Sequence, residues 1–259
     1  MDYATAKASA RLARASYESS TRPAVSVALG GSVATTVIED AIVATLSAEG
    51  FSAEIHHTSY MGWVAEALAE DGPGVWVIWL ASLGLTRGGT RLVDPDWEGL
   101  AAGVRTLLKR RRRVIVVLPE PLVEEIDPLS PAAEWRRDVI ARAEELLPEE
   151  VIRLDLTGLI LHHGFDRWHD PRYWERAKMP ASPDAASATG ELIGRVIARL
   201  HRPRVRAVAV DLDGTLWGGI LSEVGPDGVE LDPDGQGRPF LELQRYLKGL
   251  HQSGVPLAI

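Results

Sequence analysis

Val25-Ser26-Val27-Ala28-Leu29-Gly30-Gly31-Ser32 is the stretch that sets the fold class. An uncharged run rich in β-formers reads as a buried strand, and it empties into a Gly-Gly-Ser turn. Residues 35–49 then place Val37, Ile38, Ile42, Val43 and Leu46 at helical spacing, with Gly50 where a C-terminal cap belongs. Working outward, residues 3–19 are rich in Ala and Arg and read as a helix, ended by Pro23. Further strands are expected at 52–56, 75–81, 114–118 and 151–154, with helices over 62–69, 97–109, 132–147 and 182–200. Strand and helix alternate, so the chain is expected to be α/β, three-layered, with a mostly parallel sheet.

A second informative stretch follows Arg202-Pro203, which is read as the junction between a domain over 1–202 and one over 203–259. There Val205-Arg206-Ala207-Val208-Ala209-Val210 leads into Asp211-Leu212-Asp213-Gly214-Thr215. Acids two residues apart share one side of an extended segment. Phosphoryl transfer uses such a pair, with one carboxylate to attack phosphorus and hold Mg²⁺ and the other to move a proton. Mg²⁺ suits hard oxygen ligands beside a phosphate. Gly214 permits a sharp turn, and Thr215 offers a hydroxyl to phosphate. The plain alternative is that Asp211 and Asp213 only cap that turn. Residues 218–237 read as a hairpin or flap, 239–251 as a helix with Phe240, Leu243, Leu247 and Leu250 on one face, and 255–259 as the next strand. Two strands and one helix bury little apolar surface, so this part is expected to lean on the first domain or on a partner chain, and a homo-oligomer is compatible with that.

The second stretch extends into Leu216-Trp217-Gly218-Gly219, and the nonapeptide 211–219 resembles the DLDNTLWGG signature of the FkbH-like proteins, subfamily IIIC of the haloacid dehalogenase (HAD) superfamily. Residues 225–231, 240–248, 168–174 and 177–180 are similar to the same family. The resemblance implies an N-terminal SGNH-hydrolase-like domain followed by a HAD Rossmann-like domain. It also implies an activity: phosphate is removed from 1,3-bisphosphoglycerate, a phosphorylated three-carbon metabolite, and the glyceryl unit is loaded onto an acyl carrier protein in polyketide-type biosynthesis. Asp211 would then be the nucleophile and a Mg²⁺ ligand, and Asp213 the general acid/base with its main-chain carbonyl on the metal. The family's further phosphate-site residues and its thiol belong to sequence beyond Ile259, so the chain is expected to hold only the opening of the HAD domain and to be inactive alone.

The first domain resembles SGNH hydrolases at Gly31-Ser32, a nucleophile block, and at Asp166-Arg167-Trp168-His169, which has the D-x-x-H spacing of a last block where His activates Ser and Asp orients His. Gly62 matches the oxyanion glycine. A serine at a strand's carboxyl end, facing a helix N-terminus, sits where open α/β sheets bind ligands. The chain has no Asn, so the superfamily's oxyanion asparagine is missing, a donor worth about 3 kcal/mol in the transition state. The alternatives are therefore a working acyl hydrolase or transferase, a non-catalytic carrier-protein docking module, and a structural domain.

Composition narrows the rest. With 46% apolar and 25% charged residues the chain is ordinary for a globular protein. A net charge of −8 argues against nucleic acid as a partner, and Lys109-Arg110-Arg111-Arg112-Arg113 reads as cations closing a helix. The absence of cysteine excludes disulfides, thiolate metal sites and a Cys nucleophile within these residues. No apolar run is long enough for a bilayer and the N-terminus lacks signal-peptide order, so a cytoplasmic location without membrane contact is expected. The pairs His56-His57 and His162-His163 read as solvated loop residues rather than a metal site. Trp76 and Trp79 read as core, whereas Trp168, Trp174 and Trp217 are expected to line a domain interface or docking surface.

Overall fold

The computed structural model describes residues 1–17, 21–59, 62–69, 72–80, 83–86, 89–92, 95–121, 127–202 and 206–258, with 83–86, 89–92 and Pro171 described by backbone alone. The chain divides into two compact units, Met1–His201 and Arg202–Ile259. In the first, the elements run α1 (Tyr3–Ala15), β1 (Ala24–Gly31), α2 (Thr36–Ala48), β2 (Ser52–His57), α3 (Trp63–Leu68), β3 (Val75–Trp79), β4 (Leu83–Thr86), β5 (Gly89–Leu92), α4 (Trp97–Lys109), β6 (Arg113–Val117), α5 (Pro131–Leu146), β7 (Ile152–Leu154), α6 (Thr157–His163), α7 (Phe165–Trp168), α8 (Pro171–Ala177) and α9 (Pro183–His201). The second holds β8 (Val208–Ala209), α10 (Leu221–Val224), α11 (Arg238–Gln252) and β9 (Leu257–Ala258). The expected boundaries at Ser19, Ala81, Val205 and Ile259 lie outside the described residues.

The main sheet has the order β2-β1-β3-β6-β7, and every described pairing in it is parallel. Numbered within the sheet this is 2-1-3-4-5, the flavodoxin-like doubly wound arrangement. Alternation along each strand builds two layers. Val25, Val27 and Leu29 of β1, with Val75, Val77 and Trp79 of β3, face Ile38 and Ile42 of α2 and Ile193 and Ile197 of α9. Trp76 and Ile78 of β3, with Val114 and Val116 of β6, face Trp63 of α3 and Leu100, Val104 and Leu107 of α4. The α/β class with a three-layer parallel sheet is therefore what the chain adopts. The antiparallel pair β4–β5 and the short helices α6, α7, α8 and α10 add to the expected elements.

The tightest helix contact is between α2 and α9. A Cβ at Gly190 would lie 2.5 Å from the Ile38 carbonyl oxygen and 2.8 Å from the Ala41 Cβ, and one at Gly194 would lie 2.8 Å from the Thr45 Cβ. Glycines four apart thus let the backbones approach where side chains would hold them apart. The basic run also has a structural task. Arg110 donates to the carbonyls of Ala67, Leu68 and Ala69, closing the C-terminus of α3 from a neighbouring helix.

In the second unit β8 and β9 pair in parallel, with α11 in the connection between them. Leu247 is the only buried apolar side chain among its described residues, while Ile220, Leu221, Val224 and Tyr246 are exposed.

Gly190→Ala should lower the urea midpoint of the first unit. The new methyl gains about 1 kcal/mol of helix propensity but costs about 1–3 kcal/mol or more in overpacking against a backbone oxygen. Gly158→Ala in α6, where nothing lies within 4 Å of the new atom, should leave the midpoint unchanged or raise it.

Candidate functional site

Parallel strands place their carboxyl ends on one edge, and the strand order reverses at β1, so the crevice between β1 and β3 is where this fold offers a ligand site. Ser32 stands there, half-buried, directly after β1. Gly31 has φ 135°, and a Cβ on it would lie 2.1 Å from the Trp79 carbonyl oxygen, so only glycine lets β1 close onto β3. In that closure the Ser32 N–H donates to the Trp79 carbonyl at 3.0 Å. Gly62 lies at the start of α3, where its N–H donates to the Ser59 carbonyl at 2.8 Å. Both main-chain donors that an oxyanion hole would draw on are thus committed within the fold, and the asparagine is absent.

His169 follows α7. A strap links it to the β1–α2 connection: Ser182 N–H donates to Trp168 O at 2.7 Å, Ala34 N–H donates to Lys178 O at 3.0 Å, and His169 Nδ1 stands 3.4 Å from the Pro180 carbonyl. A carbonyl only accepts, so Nδ1 is the donor in that contact. Asp166 does not orient this ring. It is exposed and makes no hydrogen bond or ion pair among the described residues.

Several expectations about aromatic and histidine residues are corrected here. Trp168 and Trp174 are 1% and 3% exposed and belong to the core layer with Trp79, so they form no docking surface. His57 is not a solvated loop residue. It closes β2, half-buried, with Nδ1 3.2 Å from Thr35 Oγ1 and Nε2 2.8 Å from Glu39 Oε2, while Arg14 from α1 holds Glu39 and Asp40. His56 lies 3.0 Å from Glu66. Burial of Glu66 opposes its ionisation, but the Ser59 N–H and His56 outweigh that and hold it below the usual carboxylate value. His162 and His163 end α6, and burial, with His162 beside it, holds His163 below the ordinary imidazole value. Asp170 is drawn down to about 2 by the Arg172 guanidinium and the Arg172 N–H, which it accepts as the cap of α8.

In the second unit Asp211 follows β8, and its Oδ1 accepts the Leu212 N–H at 2.8 Å. Asp213 Oδ1 accepts two donors, the Trp217 indole N–H at 2.9 Å and the Leu221 N–H at 3.0 Å. Gly214 has φ 68°, the left-handed turn expected of it, and Thr215 N–H donates to Leu212 O at 3.2 Å. Both acids are exposed, and each Oδ2 lacks a protein donor among the described residues. They therefore serve the turn without being used up by it. Among the described residues no three His, Asp or Glu gather as a metal cluster. Mg²⁺ binds through one or two carboxylates plus waters, so the Asp211 carboxylate and the Asp213 carbonyl are a chemically fitting pair. Sequence reading missed the Trp217–Asp213 bond and the Thr35–His57–Glu39 chain. The four-residue separation in Trp217's case was visible, but only coil geometry turns it into a contact.

Comparison with solved structures finds the N-terminal part of the protein BF1531 from Bacteroides fragilis, containing a phosphatase domain and complexed with Mg, similar at TM-score 0.59 and 18% identity over 99% of this chain and 72% of that one. The lipase/acylhydrolase from Enterococcus faecalis is similar at TM-score 0.48 and 15% identity over 70% of this chain and 98% of that one. The first likeness bears on the fold alone, and the second is too loose to argue from. No family model matches the chain, and no curated protein matches it. No helix among the described residues is long and apolar enough to cross a membrane.

Short-chain p-nitrophenyl esters should be hydrolysed at background rate, with Ser32→Ala no different. A Ser32-dependent rate would show that the donors at Ser32 and Gly62 can be released. For Asp170, a carbon-detected NMR titration should give a midpoint near 2, and Arg172→Ala should raise it. Because the folded value is depressed, the cap contributes its stability above about pH 4 and loses it as pH falls through about 2.

Proposed function

We propose that the Asp211–Thr215 corner performs phosphoryl chemistry on 1,3-bisphosphoglycerate, with the glyceryl unit bound for an acyl carrier protein, as the FkbH-like resemblance implies. The observation that carries this reading is the placement of Asp211 at the carboxyl end of parallel β8 with a free Oδ2, just before the left-handed turn at Gly214. The likeness of BF1531, described as containing a phosphatase domain and complexed with Mg, supports it across nearly the whole chain.

In this reading an Asp211 oxygen attacks the phosphorus of the C3 phosphomonoester, and the P–O bond to the C3 oxygen breaks. That oxygen leaves with the electron pair and takes a proton from Asp213, so the C1 acyl phosphate is kept as the activated carbonyl for transfer to a thiol. Water then attacks the aspartyl phosphate while Asp213 Oδ2 takes its proton. The Gly214 N–H and the Thr215 hydroxyl are the groups offered to the phosphoryl oxygens. The Asp211 carboxylate and the Asp213 carbonyl would hold Mg²⁺, which when bound supplies neutralisation of phosphate charge. For the first unit, the engaged N–H groups of Ser32 and Gly62 favour a docking or binding domain over an acyl hydrolase.

The test is Mg²⁺-dependent phosphate release from a three-carbon phosphomonoester, together with calorimetric binding of Mg²⁺ and beryllofluoride. Asp211→Asn should abolish both, and Asp213→Asn should slow release by about 10²–10⁴-fold. An Asp211→Asn chain that binds the mimic or turns over as the wild type does would overturn the reading, and the binding arm decides it for a chain with no turnover.

A further inference from the structure

We infer that Trp217 is a positioning residue that aims Asp213. It fixes one carboxylate oxygen so that the other is presented to the phosphoryl group. The inference rests on the phosphoryl reading above.

An exposed aspartate has two free torsions, and its terminal one is broad and nearly two-fold. A general acid/base left like this spends most of its time misaimed. Here two donors arrive from different parts of the chain on the same atom. The Trp217 indole N–H reaches Asp213 Oδ1 at 2.9 Å and the Leu221 N–H reaches it at 3.0 Å. Both bonds are charge-assisted, and together they hold the carboxylate plane. Oδ2 is left without a protein donor among the described residues.

The indole is itself held on both sides. Before it, the Leu216 carbonyl accepts the Gln244 side-chain amide of α11 at 2.6 Å. After it, Gly218 and Glu230 exchange two main-chain hydrogen bonds, at 3.1 and 2.9 Å. Gly218 cannot be replaced in that bridge, because a Cβ would stand 2.5 Å from Glu230 Oε2 and 2.9 Å from the Phe240 ring. Trp217 is half-exposed, so packing alone does not account for it. Its one polar group goes to a carboxylate rather than to the backbone or the core.

The experiment uses the chain with ¹⁵N-labelled tryptophan and backbone amides, the Trp217 indole resonance being assigned from Trp217→Phe. Asp213→Ala should move that resonance upfield. Saturation with Mg²⁺ and beryllofluoride should shift the Gly214 and Thr215 amides and the Trp217 indole together. Where turnover is measured, Trp217→Phe should lower kcat about tenfold, with KM changed less than about twofold, since aim affects proton transfer and not ground-state binding. Two results overturn the inference alone: an indole that stays put while the Gly214 and Thr215 amides report the mimic, or an indole unmoved by Asp213→Ala. If neither the amides nor the indole responds to the mimic, the phosphoryl reading falls and the inference with it.

Discussion

The first unit turns on one backbone contact, the closure of β1 onto β3 at Gly31, where the Ser32 N–H meets the Trp79 carbonyl. No side chain fits between those strands at that level. The contact sets the point where the strand order reverses, and it places Ser32 at the mouth of the crevice. It also occupies the donor that acyl chemistry at Ser32 would need. The same hydrogen bond that makes the position look catalytic thus removes part of the machinery.

The two units solve burial differently. In the first, a parallel sheet is covered by helices on both faces, as its unbroken apolar strands require. In the second, two short strands and α11 gather around little more than Leu247, and hydrogen bonds do much of the ordering. Gln244, Glu230 and the Asp213 carboxylate each fix a loop position that a larger core would otherwise fix by packing.

Much of this was legible in the sequence. Unbroken apolar runs and period-3.6 patterns located the strands and long helices, because a sheet buried on both faces leaves no choice of composition. The Asp211–Thr215 corner was legible for a similar reason, since acids straight after β-formers mark a strand's end. The short helices α6 to α8 were not, as four to seven residues carry too little periodicity to register. Trp168 and Trp174 were misplaced because their neighbours are charged and their burial comes from distant partners such as Leu156 and Ala185. His57 was misread for a related reason. Its setting is supplied by Thr35 and Glu39, some twenty residues away, and nothing in the dipeptide His56-His57 announces it.

The glycine contact between α2 and α9 has a consequence for biosynthesis. The face of α2 that meets Gly190 and Gly194, at Ile38, Ala41, Ile42 and Thr45, stays uncovered on the nascent chain until α9 has left the ribosome. Such high contact order makes docking of α9 a late event, after the strands have already paired. During that interval the apolar back of the β1–α2 layer is what a chaperone would recognise.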